Sequence, residues 1–148
     1  MKKSNISIGN CGEYFVAAEL ERHGFTVGVP LSNTTDFDIL AVSRINHDKQ
    51  YLIQVKTQSG STLSWPLGKK SESLKGNNIF YIFVTLNYLN TPDYYIVPSE
   101  VVARTIKKEH QKWLDTPGKN GQKRNDSQLR KFHLEKNSEY KNAWDTFQ

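Results

Sequence analysis

The chain holds one cysteine, Cys11, one methionine, five prolines and nine glycines among 148 residues. A lone cysteine excludes an internal disulfide framework. The four histidines, at positions 23, 47, 110 and 133, lack metal-ligand spacing and pair with no cysteines, so no zinc site is supported. Cys11 has no evident histidine partner to activate it and reads as a small packing residue. Long apolar runs are missing as well. The longest, Ile79 to Leu86, is far too short to span a bilayer. Lys2 and Lys3 are not followed by the apolar segment that a secretory signal needs. The expectation is a soluble, cytoplasmic chain with no membrane association. Internal repeats are also lacking.

What is present is ordinary in amount and uneven in placement. At 36% hydrophobic and 24% charged residues, the composition fits a globular protein, and the length suits one domain over 1–148. Residues 1–103 hold nine Lys/Arg and nine Asp/Glu, whereas 104–148 hold eleven and six, so the whole net charge of +5 lies in the last third. A basic extension from about 115 to 148 offers either a footprint for a polyanion, nucleic acid first, or a solvated tail. Lys119, Lys123, Arg124, Arg130 and Lys131 are its candidate phosphate contacts. Lys69 and Lys70, close after Trp65, are candidates of the same kind, although Trp65 reads equally well as core. No base-reading motif is visible.

Local patterns give the element order. Asn10-Cys11-Gly12-Glu13 has capping-box spacing, predicting a helix through His23 that stops at Gly24. Strands are expected over 25–29, 36–42 and 51–57, with a polar turn at Leu31–Thr35 and a polar connection at 43–50 that makes the second and third a hairpin. Residues 58–68 read as a Ser/Gly/Thr loop, followed by a short lysine-bearing helix to Gly76. Ile79 to Leu86 is apolar on both faces, as a central strand is, and 94–97 forms a further strand. A long helix capped by Ser99 runs to about Leu114, with Val102, Ile106 and Trp113 at helical spacing; His110 near its end suits a dipole partner. From there to Arg130 a long loop or mobile segment is expected, and 132–147 then folds back on the body. The fold class for this order is α/β, a mixed sheet flanked by helices.

Tyr51-Leu52-Ile53-Gln54-Val55-Lys56-Thr57 holds the anomaly. Strict alternation puts Tyr51, Ile53, Val55 and Thr57 on one face, so Gln54 and Lys56 share the other. That register sets a ligating oxygen beside a cation. On the preceding strand Asp36 and Asp38 share a face near the edge of a covered sheet, where an acid is costly unless paired or metal-bound.

Glu13 on a helix, Asp38 before an apolar run, and Gln54-Val55-Lys56 on the next strand resemble the PD-(D/E)xK, restriction-endonuclease-like nucleases. The resemblance runs from about Gly12 to Leu86, and the segment from Tyr94 through Trp113 is similar to small bacterial members of that superfamily. Phe37 stands where the name-giving proline would be, and Gln54 replaces the second acid, which removes one negative charge. The resemblance implies a three-layer α/β/α fold and a metal-dependent DNA endonuclease. It implies Mg²⁺, with Mn²⁺ as an alternative, held by Asp38, the Gln54 carboxamide, the Val55 carbonyl and Glu13. Lys56 would orient the attacking water or stabilise charge on the phosphorane. Asp36 is a secondary candidate. DNA is the implied partner, and a homodimer is left open.

The plainer readings are a capping role for Glu13 and for Asp36, and a wet edge-strand face for Gln54 and Lys56. The alternative functions are a catalytically silent nucleic-acid-binding or assembly module on the same fold, or an RNase.

Overall fold

The computed structural model describes residues 4–30 and 36–147. The turn expected at Leu31–Thr35 lies outside them. Helix α1 spans Asn5–Arg22, with Ser4 as its cap: the Ser4 hydroxyl accepts from the Ser7 N–H at 3.1 Å. This corrects the cap expected at Asn10. The first turns escape notice because Ile6 is 77% exposed and sets up no apolar period. Glu13 is therefore inside the helix rather than at its start, and the capping-box explanation of it falls away. Gly24 ends the helix with φ of +90°, as expected. Gly12, Val16 and Leu20, four residues apart, form the buried stripe of α1.

The strands among the described residues are β1 (Phe25–Gly28), β2 (Ile39–Ser43), β3 (Gln50–Gln58), β4 (Ser64–Gly68), β5 (Ile79–Thr85), β6 (Asp93–Pro98) and, after helix α2 (Ser99–Asp115), β7 (Leu129–His133). Five of them form a mixed sheet in the order β1-β2-β3-β5-β6, and β4 pairs with β7 in a second sheet. The β2–β3 hairpin is antiparallel with Ile39 opposite Ile53. β3 and β5 run parallel, with Gln54 beside Tyr81 and Lys56 beside Phe83.

Period-two alternation divides the sheet into two packed faces. On one, Ile53 and Val55 of β3 and Phe80, Ile82 and Val84 of β5 pack under α1 together with Trp144 and Phe147 from the end of the chain. On the other, Tyr81, Phe83, Tyr95 and Val97 meet Val102 and Ile106 of α2, Trp65 of β4 and Phe132 of β7. β5 contributes to both cores, which is why its sequence is apolar throughout.

Several expectations need correction. Asp36 and Asp38 stand in the bend before β2 rather than on the strand. Residues 64–68 are not loop, and Leu129 and Arg130 do not close a long loop or mobile segment but open β7: the register Trp65↔Phe132 and Leu67↔Arg130 joins the two strands. Ser99 is the first residue of α2 and makes no cap; its hydroxyl instead engages the backbone of Gly76. Trp113 is 41% exposed and does not extend the buried stripe of α2. The short helix expected before Gly76 is a 3₁₀ turn over Lys69–Glu72. The end of the chain does fold back, along the outer edge of β6: Ile96 donates to the Tyr140 carbonyl at 3.0 Å and Asn142 to the Tyr94 carbonyl at 2.8 Å. That segment covers an edge that would otherwise expose unpaired backbone groups.

Candidate functional site

The open end of the β2–β3 hairpin is built by backbone geometry. β3 outruns β2, so the residues before Ile39 cross its flank as a bend. The Asp38 N–H donates to the Ile53 carbonyl at 2.8 Å, and Asp38 Oδ2 accepts the Val55 N–H at 2.7 Å. Asp38 thus takes the place of the next ladder partner. In an extended strand, one residue's N–H and C=O turn to the same neighbour. The Val55 carbonyl therefore points to the side on which Asp38 sits, beyond the start of β2. Oδ1 of Asp38 is left for another partner.

Glu13 is brought to the same place by a close approach. Gly12 lies against Thr57 of β3, and a Cβ built on Gly12 would stand 1.8 Å from Thr57 Oγ1. Only glycine lets the helix come so near, and the next residue is Glu13. Burial raises the pKa of the Glu13 carboxyl above its ordinary value, the Asp38 charge raises it further, and Lys56 opposes both. The three groups are thus within electrostatic reach of one another.

Gln54 and Lys56 point away from α1 and line an open pocket of roughly 390 Å³ with Asp36, Lys70, Ser71 and Tyr81. Tyr81 is 1% exposed, and its hydroxyl bonds to Ser71. Its pKa is raised, first by burial and also by Asp38, with the Ser71 bond working the other way. Asp38 consequently influences Glu13 on one face of the sheet and Tyr81 on the other. Tyr81 and Ser71 escaped the sequence reading: Tyr81 is hidden in an apolar strand, and only its pairing with Gln54 reveals it.

Chemically the centre offers two carboxylates, a carboxamide oxygen, a backbone carbonyl and an ammonium. Among the described residues no group of three or more His, Cys, Asp or Glu assembles. A donor set made only of oxygens, with two acids, fits a hard cation that keeps several waters, and not zinc.

The expected phosphate contacts divide. Arg130 is 3% exposed and ion-paired to Glu72 and Asp126, so it is a structural residue and not a phosphate contact. Trp65 is core, 1% exposed, with its indole N–H donating to the Val84 carbonyl at 3.3 Å. Lys69 is paired with Asp126 at 2.9 Å. His110 joins the same cluster, 2.8 Å from Asp126. Lys70, Lys119, Lys123 and Lys131 are exposed. Arg124 lies 4.7 Å from the ring centroid of Trp113.

No helix among the described residues is long and apolar enough to cross a membrane. No family model and no curated protein matches the chain. Among solved structures, it is similar to that of the bacterial homing endonuclease I-Ssp6803I, at a TM-score of 0.56 and 15% identity, covering 97% of this chain and 91% of that one. At that identity the likeness shows a shared fold.

Proposed function

We propose that this protein is a metal-dependent DNA endonuclease of the PD-(D/E)xK type. The observation that carries the reading is Asp38, fixed to the Val55 N–H at the end of a hairpin, with Glu13 within electrostatic reach of both Asp38 and Lys56. A fold shared with a bacterial homing endonuclease supports it. When bound, Mg²⁺ or Mn²⁺ supplies Lewis acidity toward a phosphoryl oxygen and acidifies a bound water. Asp38 would hold the cation through Oδ1, since Oδ2 is committed to the Val55 N–H. Glu13, the Gln54 carboxamide oxygen and the Val55 carbonyl would complete the protein's share of the ligands. The Lys56 ammonium would sit where negative charge builds on the transferring phosphoryl group and would orient the attacking water.

Supercoiled and linear DNA incubated with Mg²⁺ or Mn²⁺ tests the reading. Cutting by wild type is expected, with a loss of about 100-fold or more in Asp38→Asn. No cutting by wild type, equal cutting by the variant, or cutting of RNA alone refutes it. Gln54 itself favours a second reading, a silent nucleic-acid-binding module, because a neutral ligand leaves the cation held by less charge. Calorimetry separates the two: a silent module binds DNA with no dependence on Mg²⁺ and shows no metal affinity tied to Asp38.

A further inference from the structure

Four of the eleven basic residues of the last third lie on helix α2 and not in the extension that follows it. Arg104, Lys107, Lys108 and Lys112 are all exposed on α2 and, with exposed Lys75, line one open groove of roughly 1070 Å³ along that helix. The acids of the groove, Glu100 and Asp115, stand at the two ends of α2 and leave its middle positive. Among the described residues none of the five cations has a carboxylate partner, whereas Arg22, Arg44, Lys69, Arg130 and Lys141 all do. A helix face with four such cations, and a fifth beside it, is a place for an external polyanion.

The spacing of the cations suits a phosphate backbone. Arg104, Lys108 and Lys112 follow one another at i, i+4 and i+8, a straight stripe on one face. Eight residues of helix rise about 12 Å. Each strand of duplex DNA carries one phosphate about every 3.4 Å of helix axis, so the stripe corresponds to the axial length of about three or four phosphates. The groove also adjoins the candidate active site. Lys70, Ser71, Ser73 and Leu74 line the pocket that holds Gln54 and Lys56, and the next residue, Lys75, lines the groove of α2.

We propose that the exposed face of α2, with Lys75, is a docking track for the phosphate backbone of duplex DNA that leads into the pocket at Gln54 and Lys56. The inference deepens the endonuclease reading and rests on it for the choice of DNA. The track reads backbone and carries no sequence information.

The test is binding of a labelled duplex measured in EDTA, where metal-dependent cutting does not take place, across a salt series. The protein is the full chain with Arg104→Ala, Lys108→Ala and Lys112→Ala combined. Affinity at moderate salt is expected to fall about tenfold or more, and the slope of log K against log salt to shrink by about three. Circular dichroism and the melting temperature should stay at wild-type values, because all three side chains are exposed. Unchanged affinity and slope overturn the proposal. So does displacement of DNA by polyglutamate at matched charge as effective as by unlabelled duplex, which assigns the face to polyanions at large. A triple variant of Lys119, Lys123 and Lys131 that loses as much slope while the α2 variant loses none also overturns it. If wild type never cuts but the α2 substitutions still flatten the slope, the endonuclease reading fails and the docking track stands.

Discussion

Gly12→Ala is the sharpest probe of how α1 is seated. Alanine is the better helix former by about 1 kcal/mol, so propensity alone stabilises the variant. Packing acts in the other direction. The new Cβ would meet Thr57 Oγ1 at 1.8 Å, Cγ2 at 2.7 Å and Cβ at 2.8 Å, so turning the Thr57 side chain cannot clear it. Carbon atoms rest at about 3.5–4.0 Å, and the helix must therefore retreat by about 1–2 Å. Overpacking of this kind costs about 1–3 kcal/mol. Gly9, in the same helix, is the internal control, because a Cβ there meets nothing within 4 Å. Gly9→Ala should gain roughly the propensity term, while Gly12→Ala should fall below it by about 1–3 kcal/mol in urea denaturation. A retreat of that size also carries Glu13 away from Asp38 and should lower cleavage by about 100-fold. Thr57→Ala removes two of the three clashing atoms, together with a buried hydroxyl that has no hydrogen-bond partner. In that background Gly12→Ala should cost less, with a coupling of more than about 0.5 kcal/mol. Equal stabilisation by Gly9→Ala and Gly12→Ala, or strict additivity with Thr57→Ala, refutes the close approach.

Other outcomes follow from the same geometry. Asp38→Asn keeps an oxygen for the Val55 N–H and should lose metal-dependent cleavage at near wild-type stability, whereas Asp38→Ala should also lose about 1–3 kcal/mol, read by urea midpoint. Glu13 holds its proton more tightly when folded, so without divalent cation its contribution to stability declines as pH rises from its ordinary 4.5 through the raised value. Glu13→Gln should therefore be the more stable protein at neutral pH, with the gap closing below about pH 4.5 in parallel denaturation curves; a gap that widens in acid contradicts the environment assigned to Glu13. Arg130→Met leaves Glu72 and Asp126 without their buried partner and should cost about 3–5 kcal/mol in thermal or urea unfolding, while DNA affinity per folded molecule stays near wild type.

The residues around the hairpin were readable because their signals are local. Alternation placed Gln54 and Lys56 on one face, and a connection of a few residues bound β2 to β3, so Asp38 had to arrive nearby. The β4–β7 sheet was not readable for the opposite reason. Its strands lie more than 60 residues apart, Pro66 interrupts one, and in the other a buried arginine occupies a position that a period-two reading assigns to an apolar residue. Arg130 is tolerable there because Glu72 and Asp126 meet it and the Ser127 and Leu129 carbonyls accept from its guanidinium, and Glu72 lies 58 residues away in sequence. Charge counting failed for a related reason. It located the positive excess in the last third but could not distinguish neutralised cations, such as Arg130 and Lys141, from the unpaired ones on α2. The early start of α1 was hidden by exposure, since the turns before Gly12 bury little and show no stripe.

Gln54 is the residue at which the proposed centre departs from an all-acid ligand set, and the electrostatics give a reason for it. The Glu13 carboxyl is already raised by burial and by Asp38, with Lys56 as the compensating charge. A third carboxylate at position 54 would stand beside Lys56 on β3 and add repulsion to a pair that is already strained before any cation arrives. A carboxamide keeps the oxygen donor and omits the charge. In the proposed centre the metal-free protein would then be easier to fold, at the expense of cation affinity, and Asp38 would be the ligand on which binding depends most. Its position matches that demand. With Oδ2 fixed by the Val55 N–H and its own N–H fixed by the Ile53 carbonyl, Asp38 is the donor whose orientation the backbone itself determines. A site that holds its cation with fewer charges relies more on preorganisation, and the hairpin supplies that preorganisation through two backbone hydrogen bonds.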